Sequence, residues 1–186
     1  GCSGFIGKNL LNRSRAIDNF KVTALYNSSK PSIQSNRDIT FKKVNLLNKN
    51  ELKNLFDEFE VIIHIAGVMM TSSTSKFDPF KGINDNLQII TNILEAIKEN
   101  PPDKFIWMSS TTGYPELDKE LREEDYFIDD VAKRYEIVGS LYRLMEKVVN
   151  KILLNKCNLI TLRPTGVFGE EDDFSPESSH ILPKII

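Results

Sequence analysis

Cysteine is scarce in this sequence: its 186 residues include two, Cys2 and Cys157, and no Cys-x-x-Cys pair. A disulfide framework and a cysteine-rich zinc site are therefore not expected, and we predict no metal site. No apolar run approaches the roughly 20 residues that span a bilayer, so no membrane partner is expected. Without a signal-peptide pattern, a reducing cytoplasm is the predicted location.

An excess of basic residues is also lacking. Lys and Arg number 24 against 26 Asp and Glu, a net charge of -2, so nothing marks the chain for a nucleic acid backbone. Hydrophobic residues make up 40% and charged residues 27%, which is ordinary for a globular protein. The length suits one domain, since domains usually hold about 100 to 200 residues.

Glycine, by contrast, is concentrated at the start, where Gly1, Gly4 and Gly7 are three of the nine glycines. The spacing predicts a tight loop that opens a helix, so that backbone N–H groups and the helix dipole meet a pyrophosphate. A plain structural turn is the alternative. The chain starts on Gly rather than Met, and we expect an apolar strand before Gly1 and a further domain after Ile186.

Apolar runs and helical patterns alternate along the chain. Strands are predicted at 21–26, 39–44, 61–66, 104–108 and 159–162, and helices at 5–16, 48–58, 83–99 and 135–155. This order predicts an α/β fold, a Rossmann-like doubly wound parallel sheet, whose first strand and C-terminal substrate domain lie outside the sequence. Residues 1–169 would form the dinucleotide-binding domain, and 170–186 would begin the substrate-binding region.

Five motifs in order resemble those of the extended short-chain dehydrogenase/reductases, which include nucleotide-sugar epimerases and dehydratases. The motifs are Gly1–Gly7, Ile63–Gly67, Asn86-Leu87, Ser109–Tyr114 and Arg163–Gly169. Residues 168–186 are most similar to the GDP-L-fucose synthases. The resemblance implies hydride exchange between a bound nicotinamide dinucleotide and a nucleotide sugar, and it is compatible with a homodimer.

The resemblance also implies a set of cofactor-binding residues. They are Gly1, Gly4, Phe5, Ile6, Gly7, Asn27, Ser28, Lys30, Asn45, Leu46, Ala66, Gly67, Asn86 and Pro164. At the end of the second strand, where NAD-binding folds often carry an acidic side chain, this chain has Tyr26-Asn27. Because Lys30 could add a charge near a 2′-phosphate, we favour NADP over NAD; a plain polar turn is the alternative.

The resembling enzymes use a Ser or Thr, a Tyr, and a Lys four residues after the Tyr. The matching residues are Ser110, with Ser109 and Thr111 as alternatives, and Tyr142 in the last long helix. Glu146 stands where the Lys is expected, and Lys147 follows it. Position i+5 lies about 140° around a helix, so Lys147 would need a π-bulge to reach the Tyr142 face. Glu146 is expected to raise the pKa of Tyr142.

His180 matches a catalytic acid of the synthases, with a surface histidine as the alternative. The cysteine that accompanies that histidine is replaced here by Thr112, a poorer base. Two functions stay open: a nucleotide-sugar epimerase, dehydratase or reductase, and a non-catalytic dinucleotide-binding protein of the same fold.

Overall fold

The computed structural model describes residues 1–17, 20–33, 37–68, 79–170 and 172. Strands and helices alternate as the hydrophobic periodicity predicts. In chain order they are α1 (Phe5–Ser14), β1 (Val22–Tyr26), β2 (Ile39–Lys43), α2 (Lys49–Leu52), β3 (Val61–His64), α3 (Pro79–Ile97), β4 (Lys104–Met108), α4 (Glu136–Leu153) and β5 (Asn158–Leu162). Three short 3₁₀ turns, at Thr111–Gly113, Glu123–Phe127 and Lys133–Tyr135, fill the connection between β4 and α4.

All strand pairs are parallel, as a Rossmann-like fold requires. β1 pairs with β2 from Val22↔Ile39 to Tyr26↔Lys43, and β3, β4 and β5 form a second sheet in that order. The glycine loop contacts both sheets. The Cys2 N–H donates to the Leu25 carbonyl oxygen of β1 (3.4 Å), and Gly1 lies against the backbone of Ile65 just beyond β3.

The main core lies between the three-stranded sheet and the apolar faces of α3 and α4. Phe105 and Trp107 of β4 are almost fully buried, as are Ile97 of α3 and Val149 of α4. Burial of such side chains contributes about 1.5–3 kcal/mol each. This packing holds the carboxyl ends of β3, β4 and β5 at one edge, where ligands bind in open α/β sheets.

One predicted element is much shorter in the structure. The sequence predicts a helix over 48–58, but α2 ends at Leu52 because Lys53 is extended and Asn54 adopts a positive φ of 56°. Leu52, Leu55 and Phe56 are buried nonetheless. Their apolar spacing therefore reports burial correctly and helix length wrongly. Every other predicted boundary lies within four residues of the observed one.

No helix in the described part of the chain is both long and apolar enough to span a bilayer.

Candidate functional site: the strand ends around the glycine loop

The glycine loop is tightly packed at two of its three glycines. A Cβ on Gly1 would come within 2.6 Å of the Ile65 carbonyl, and a Cβ on Gly7 within 2.2 Å of the Gly1 oxygen. Real Cβ atoms do not approach so closely, so both positions require glycine for the loop to close. Phe5 and Ile6 form the first turn of α1, whose leading N–H groups have no partners within the helix.

Gly4 is different, because the protein itself does not crowd it. A Cβ there would meet only the Gly1 oxygen, at 3.6 Å, and Gly4 is exposed at the N-cap of α1 with φ -78° and ψ 171°. A side chain at this N-cap position would fit the protein but would take up space beside the first N–H groups of α1. An anion that approaches these N–H groups needs that space clear, so the loop fits a pyrophosphate.

Asn86 fixes the segment that follows β3. Its side-chain oxygen accepts from the Val68 N–H (2.9 Å), and its nitrogen donates to the carbonyl oxygens of Val68 (2.9 Å) and Gly82 (2.8 Å). Gly67 lies against this amide, where a Cβ would be 3.1 Å from the oxygen. Asn86 therefore holds the backbone of the Ala66–Val68 segment, and it can serve a cofactor through that segment.

Five of the predicted cofactor-binding residues lie beyond β1 and β2. Asn27, Ser28 and Lys30 are exposed, and the Lys30 ammonium sits 5.2 Å from the ring centroid of Phe41. Asn45 accepts from the Leu47 N–H through its side-chain oxygen (3.1 Å). Leu46 packs on the core, and its carbonyl oxygen accepts from Asn92 (3.0 Å).

Two adjacent serines after β4 have separate surroundings. Ser109 is buried and donates its hydroxyl to the Glu146 carboxylate, so it is not available to a substrate. Ser110 is half-buried, and its hydroxyl lies 2.9 Å from the Thr112 hydroxyl and accepts from the Thr112 N–H (3.2 Å). The structure thus favours Ser110 over Ser109. Thr111 donates to the carbonyl oxygen of Pro164 (3.3 Å), which ties this loop to the end of β5.

Glu146 does not stand beside Tyr142 as a free carboxylate. It is 1% exposed and forms a two-pronged ion pair with Arg163, with Nε–Oε1 and Nη2–Oε2 distances of 2.8 Å. The expected cause of a raised Tyr142 pKa was therefore wrong. Burial raises the pKa of the Tyr142 hydroxyl, and the Glu146 charge, offset by Arg163, is no part of the cause.

Lys147 lies on another side of α4. The helix runs as a regular α-helix through residues 136–153, so the π-bulge that would turn Lys147 toward Tyr142 is absent. The Lys147 ammonium sits 5.5 Å from the ring centroid of Phe127, whereas Tyr142 packs against the main core. The structure does not bring this lysine to the tyrosine, and among the described residues no cation lowers the tyrosine pKa.

Sequence reasoning missed the buried cluster behind the Ser110 loop. Arg163 stacks on the ring of Tyr126, 3.7 Å from its centroid, and donates to the Tyr114 hydroxyl (3.3 Å). Its hydrogen bonds to Glu146 raise the pKa of Arg163. The available signals were an arginine directly after β5 and a glycine, Gly113, in the middle of the serine loop.

His180 lies outside the described residues, as do residues 173–186 as a whole, so its predicted role stays a prediction. His64, at the end of β3, is a buried core histidine whose pKa burial lowers to about 4. Among the described side chains, no group of three His, Cys, Asp or Glu residues is placed to hold a metal ion.

Comparison with protein families gives one match over the whole chain. Residues 1–186 match the model of the NAD dependent epimerase/dehydratase family. The GDP-L-colitose synthase of Yersinia pseudotuberculosis is 25% identical, with 100% of this chain and 57% of that protein covered. The GDP-L-fucose synthase of Azorhizobium caulinodans is 29% identical over 68% of this chain and 41% of its own length. The chain thus spans about half the length of these relatives.

Solved structures show the same fold. The UDP-glucose 4-epimerase of Thermotoga maritima, solved with UDP-glucose, superposes with a TM-score of 0.80 at 19% identity, over 99% of this chain and 59% of that one. A GDP-mannoheptose C4 reductase from Campylobacter jejuni with NADP bound gives 0.76 at 19% identity, over 100% and 52%. Both likenesses confirm the Rossmann-like α/β fold predicted from the sequence.

Proposed function

Because the chain belongs to the NAD-dependent epimerase/dehydratase family, we propose that it binds a nicotinamide dinucleotide and acts on a nucleotide sugar. The names of its relatives support the substrate class, since they are synthases and epimerases of GDP- and UDP-sugars. The proposed reaction is an epimerisation, a dehydration or a reduction of that sugar.

The observation that carries the proposal is the open space at Gly4. Gly1 and Gly7 are required by packing within the loop, but Gly4 is not, so its missing side chain serves a ligand. The start of α1 would hold the pyrophosphate, with Gly67 and Ala66 beside it and Pro164 across the strand ends. When bound, the dinucleotide supplies a hydride acceptor or donor.

Ser110 and Tyr142 are the proposed acid–base pair. The Ser110 hydroxyl can donate to a sugar oxygen, and Thr112 holds it by two contacts, of 2.9 and 3.2 Å. The Tyr142 hydroxyl would exchange a proton with the same oxygen. Because burial raises the pKa of Tyr142, the tyrosinate is scarce at neutral pH and the proton transfer is slow.

A second candidate is a dinucleotide-binding protein that does not catalyse the reaction. The contacts of two residues favour it. Glu146, at the position where the lysine is expected, is paired with Arg163. Lys147, the next residue, lies against Phe127. Neither provides the cation that would favour the tyrosinate. Binding would then be retained without rapid turnover.

Calorimetric titration with NADP and NAD, followed by turnover assays with a panel of GDP- and UDP-sugars, tests both candidates. We expect NADP to bind more tightly, and Lys30→Ala to weaken NADP by about tenfold, which is about 1.4 kcal/mol. Lys53→Ala, which removes another exposed lysine, is the matched control. A fall in turnover of about 100-fold or more in Ser110→Ala and in Tyr142→Phe, with a measurable residual rate, supports the enzyme. Tight binding with no turnover supports the second candidate, and binding of neither dinucleotide contradicts both.

A further inference from the structure

Tyr126 is a completely buried tyrosine whose hydroxyl is used within the protein. It lies in the 3₁₀ turn Glu123–Phe127, and its exposed fraction is 0%. The hydroxyl donates to the carbonyl oxygen of Ser110 (3.0 Å) and lies 3.4 Å from the Ser109 hydroxyl. It therefore contacts the Ser110 backbone and the Ser109 side chain, both just after the end of β4.

The local structure is shaped to hold this ring in place. A Cβ on Gly113 would come within 2.1 Å of the Tyr126 hydroxyl oxygen, so glycine at this position makes room for it. The neighbouring Asp125 is also buried, and its carboxylate accepts from the Arg122 N–H (2.9 Å) and from Lys119 (2.7 Å). These bonds fix the turn that delivers Tyr126.

The surroundings also fix its protonation state and orientation. The Arg163 guanidinium covers one face at 3.7 Å from the centroid, and Tyr114 meets the ring edge-to-face at 4.9 Å. Burial raises the pKa of Tyr126, so the hydroxyl keeps its proton and stays a donor at any working pH.

We propose that Tyr126 is a positioning residue, which holds the Ser110 carbonyl and thereby directs the Ser110 hydroxyl toward the substrate oxygen. This inference rests on the proposed function, in which Ser110 polarises that oxygen. A fixed carbonyl sets the backbone torsion at Ser110, and the contacts with Thr112 then set the hydroxyl. Small errors in such placement cost about 100-fold in rate.

Amide hydrogen exchange tests the anchor without any need for activity. Tyr126→Phe removes the hydroxyl and keeps the ring contacts with Arg163 and Tyr114. We expect exchange across residues 110–113 to rise about tenfold, because the half-buried Ser110 carbonyl loses the Tyr126 hydroxyl (3.0 Å) and keeps only the longer bond from the Gly113 N–H (3.4 Å). Tyr114→Phe is the matched control, since it removes a hydroxyl from the same cluster that does not contact Ser110. Unchanged exchange in Tyr126→Phe would overturn the proposal.

Should Tyr126→Phe fail to fold, exchange in the wild-type protein decides. Slow exchange at 110–113 supports an anchored loop, and exchange as fast as in an unfolded chain overturns it.

Kinetics separates positioning from a general effect on stability. With an active nucleotide sugar, Tyr126→Phe should lower kcat by about 10- to 100-fold and leave KM and the dinucleotide Kd nearly unchanged. In a Ser110→Ala background, the same change should have no further effect on kcat, because its route is already lost. If the kcat losses of Tyr126→Phe and Ser110→Ala multiplied in the double variant, the proposal would be overturned. Absence of wild-type turnover would instead count against the proposed catalytic function. The hydrogen-exchange experiment would still test whether Tyr126 anchors the Ser110 carbonyl.

Discussion

Glu146 is the residue at which the chain departs most clearly from the enzymes it resembles. In the structure its carboxylate connects three elements of the fold. Its carboxylate joins α4 to the end of β5 through Arg163 and to the end of β4 through Ser109. Spacing from Tyr142 could not reveal this, because Arg163 is 17 positions away and meets Glu146 only in the folded protein. A local sequence pattern predicts which residues share one face of a helix. It does not predict which distant residue contacts that face in the folded protein.

Replacement of Glu146 by lysine should therefore harm the protein rather than activate it. Glu146→Lys would bury an ammonium beside the Arg163 guanidinium, and loss of a partner in a buried pair costs about 3–5 kcal/mol. We expect a free energy of unfolding lower by about that amount in urea titrations. Glu120→Lys, the same change at an exposed position, should stay within about 0.5 kcal/mol of the wild type. A Glu146→Lys variant as stable as the wild type, with faster turnover, would contradict this.

The raised pKa of Tyr142 predicts a distinctive pH dependence. Burial raises the pKa of the Tyr142 hydroxyl above its usual range, and the reaction needs the deprotonated form as proton acceptor. In the direction that removes a proton from the substrate, kcat should rise about tenfold per pH unit from neutrality to the highest pH at which the protein stays folded. The fit is made to steady-state rates from pH 6 upward, with Tyr142→Phe as the flat control. A plateau below about pH 9 would mean that a cation does reach this hydroxyl.

At the scale of elements, hydrophobic periodicity was sufficient for the order and type of all nine helices and strands in the described residues. It succeeded at α3 and α4 because apolar residues that recur at helical spacing over several turns fit a helix and do not fit a strand. It failed at residues 48–58 because Asn54 turns the backbone into the left-handed region, which an apolar pattern does not encode. The Ser110 loop was found from its motif, but the Tyr126 anchor was not, since a residue inside an acidic polar segment gives no sign of complete burial.

The loop between the chain start and α1 allows its glycines to be tested separately. Gly4→Ala should leave stability nearly unchanged, because its Cβ meets only one atom at 3.6 Å, and should weaken dinucleotide binding by about tenfold or more. Gly7→Ala should lower stability by about 1–3 kcal/mol, because its Cβ would lie 2.2 Å from the Gly1 oxygen.

Calorimetric binding and urea unfolding of the two variants side by side check both expectations. Binding by Gly4→Ala as tight as that of the wild type would show that the open space at the start of α1 serves some other purpose.

At the scale of the whole molecule, the glycine loop contacts two sheets that no strand pairing joins in the described residues. Cys2 bonds to Leu25 of β1, and Gly1 packs on Ile65 beyond β3. A ligand that orders this loop should therefore act on both sheets at once.

Dinucleotide binding should accordingly slow amide exchange in β1 and β3 together. At 100 times Kd, binding adds about 2.7 kcal/mol to the stability of the native state. Exchange monitored by mass spectrometry with and without NADP measures the effect, and Gly4→Ala at the same NADP concentration is the control. Protection confined to one sheet would contradict the bridging role of the loop.

The ion pair between α4 and β5 also has an evolutionary consequence. Ser109, Glu146 and Arg163 are distant in sequence but hydrogen-bond to one another, so a substitution at any one of them removes a partner from the buried Glu146 carboxylate or from the groups that hold it. We therefore expect that exchange of Glu146 or Arg163 alone passes through a destabilised protein. Selection for stability alone would therefore retain Glu146, whether or not selection acts on the chemistry at Tyr142.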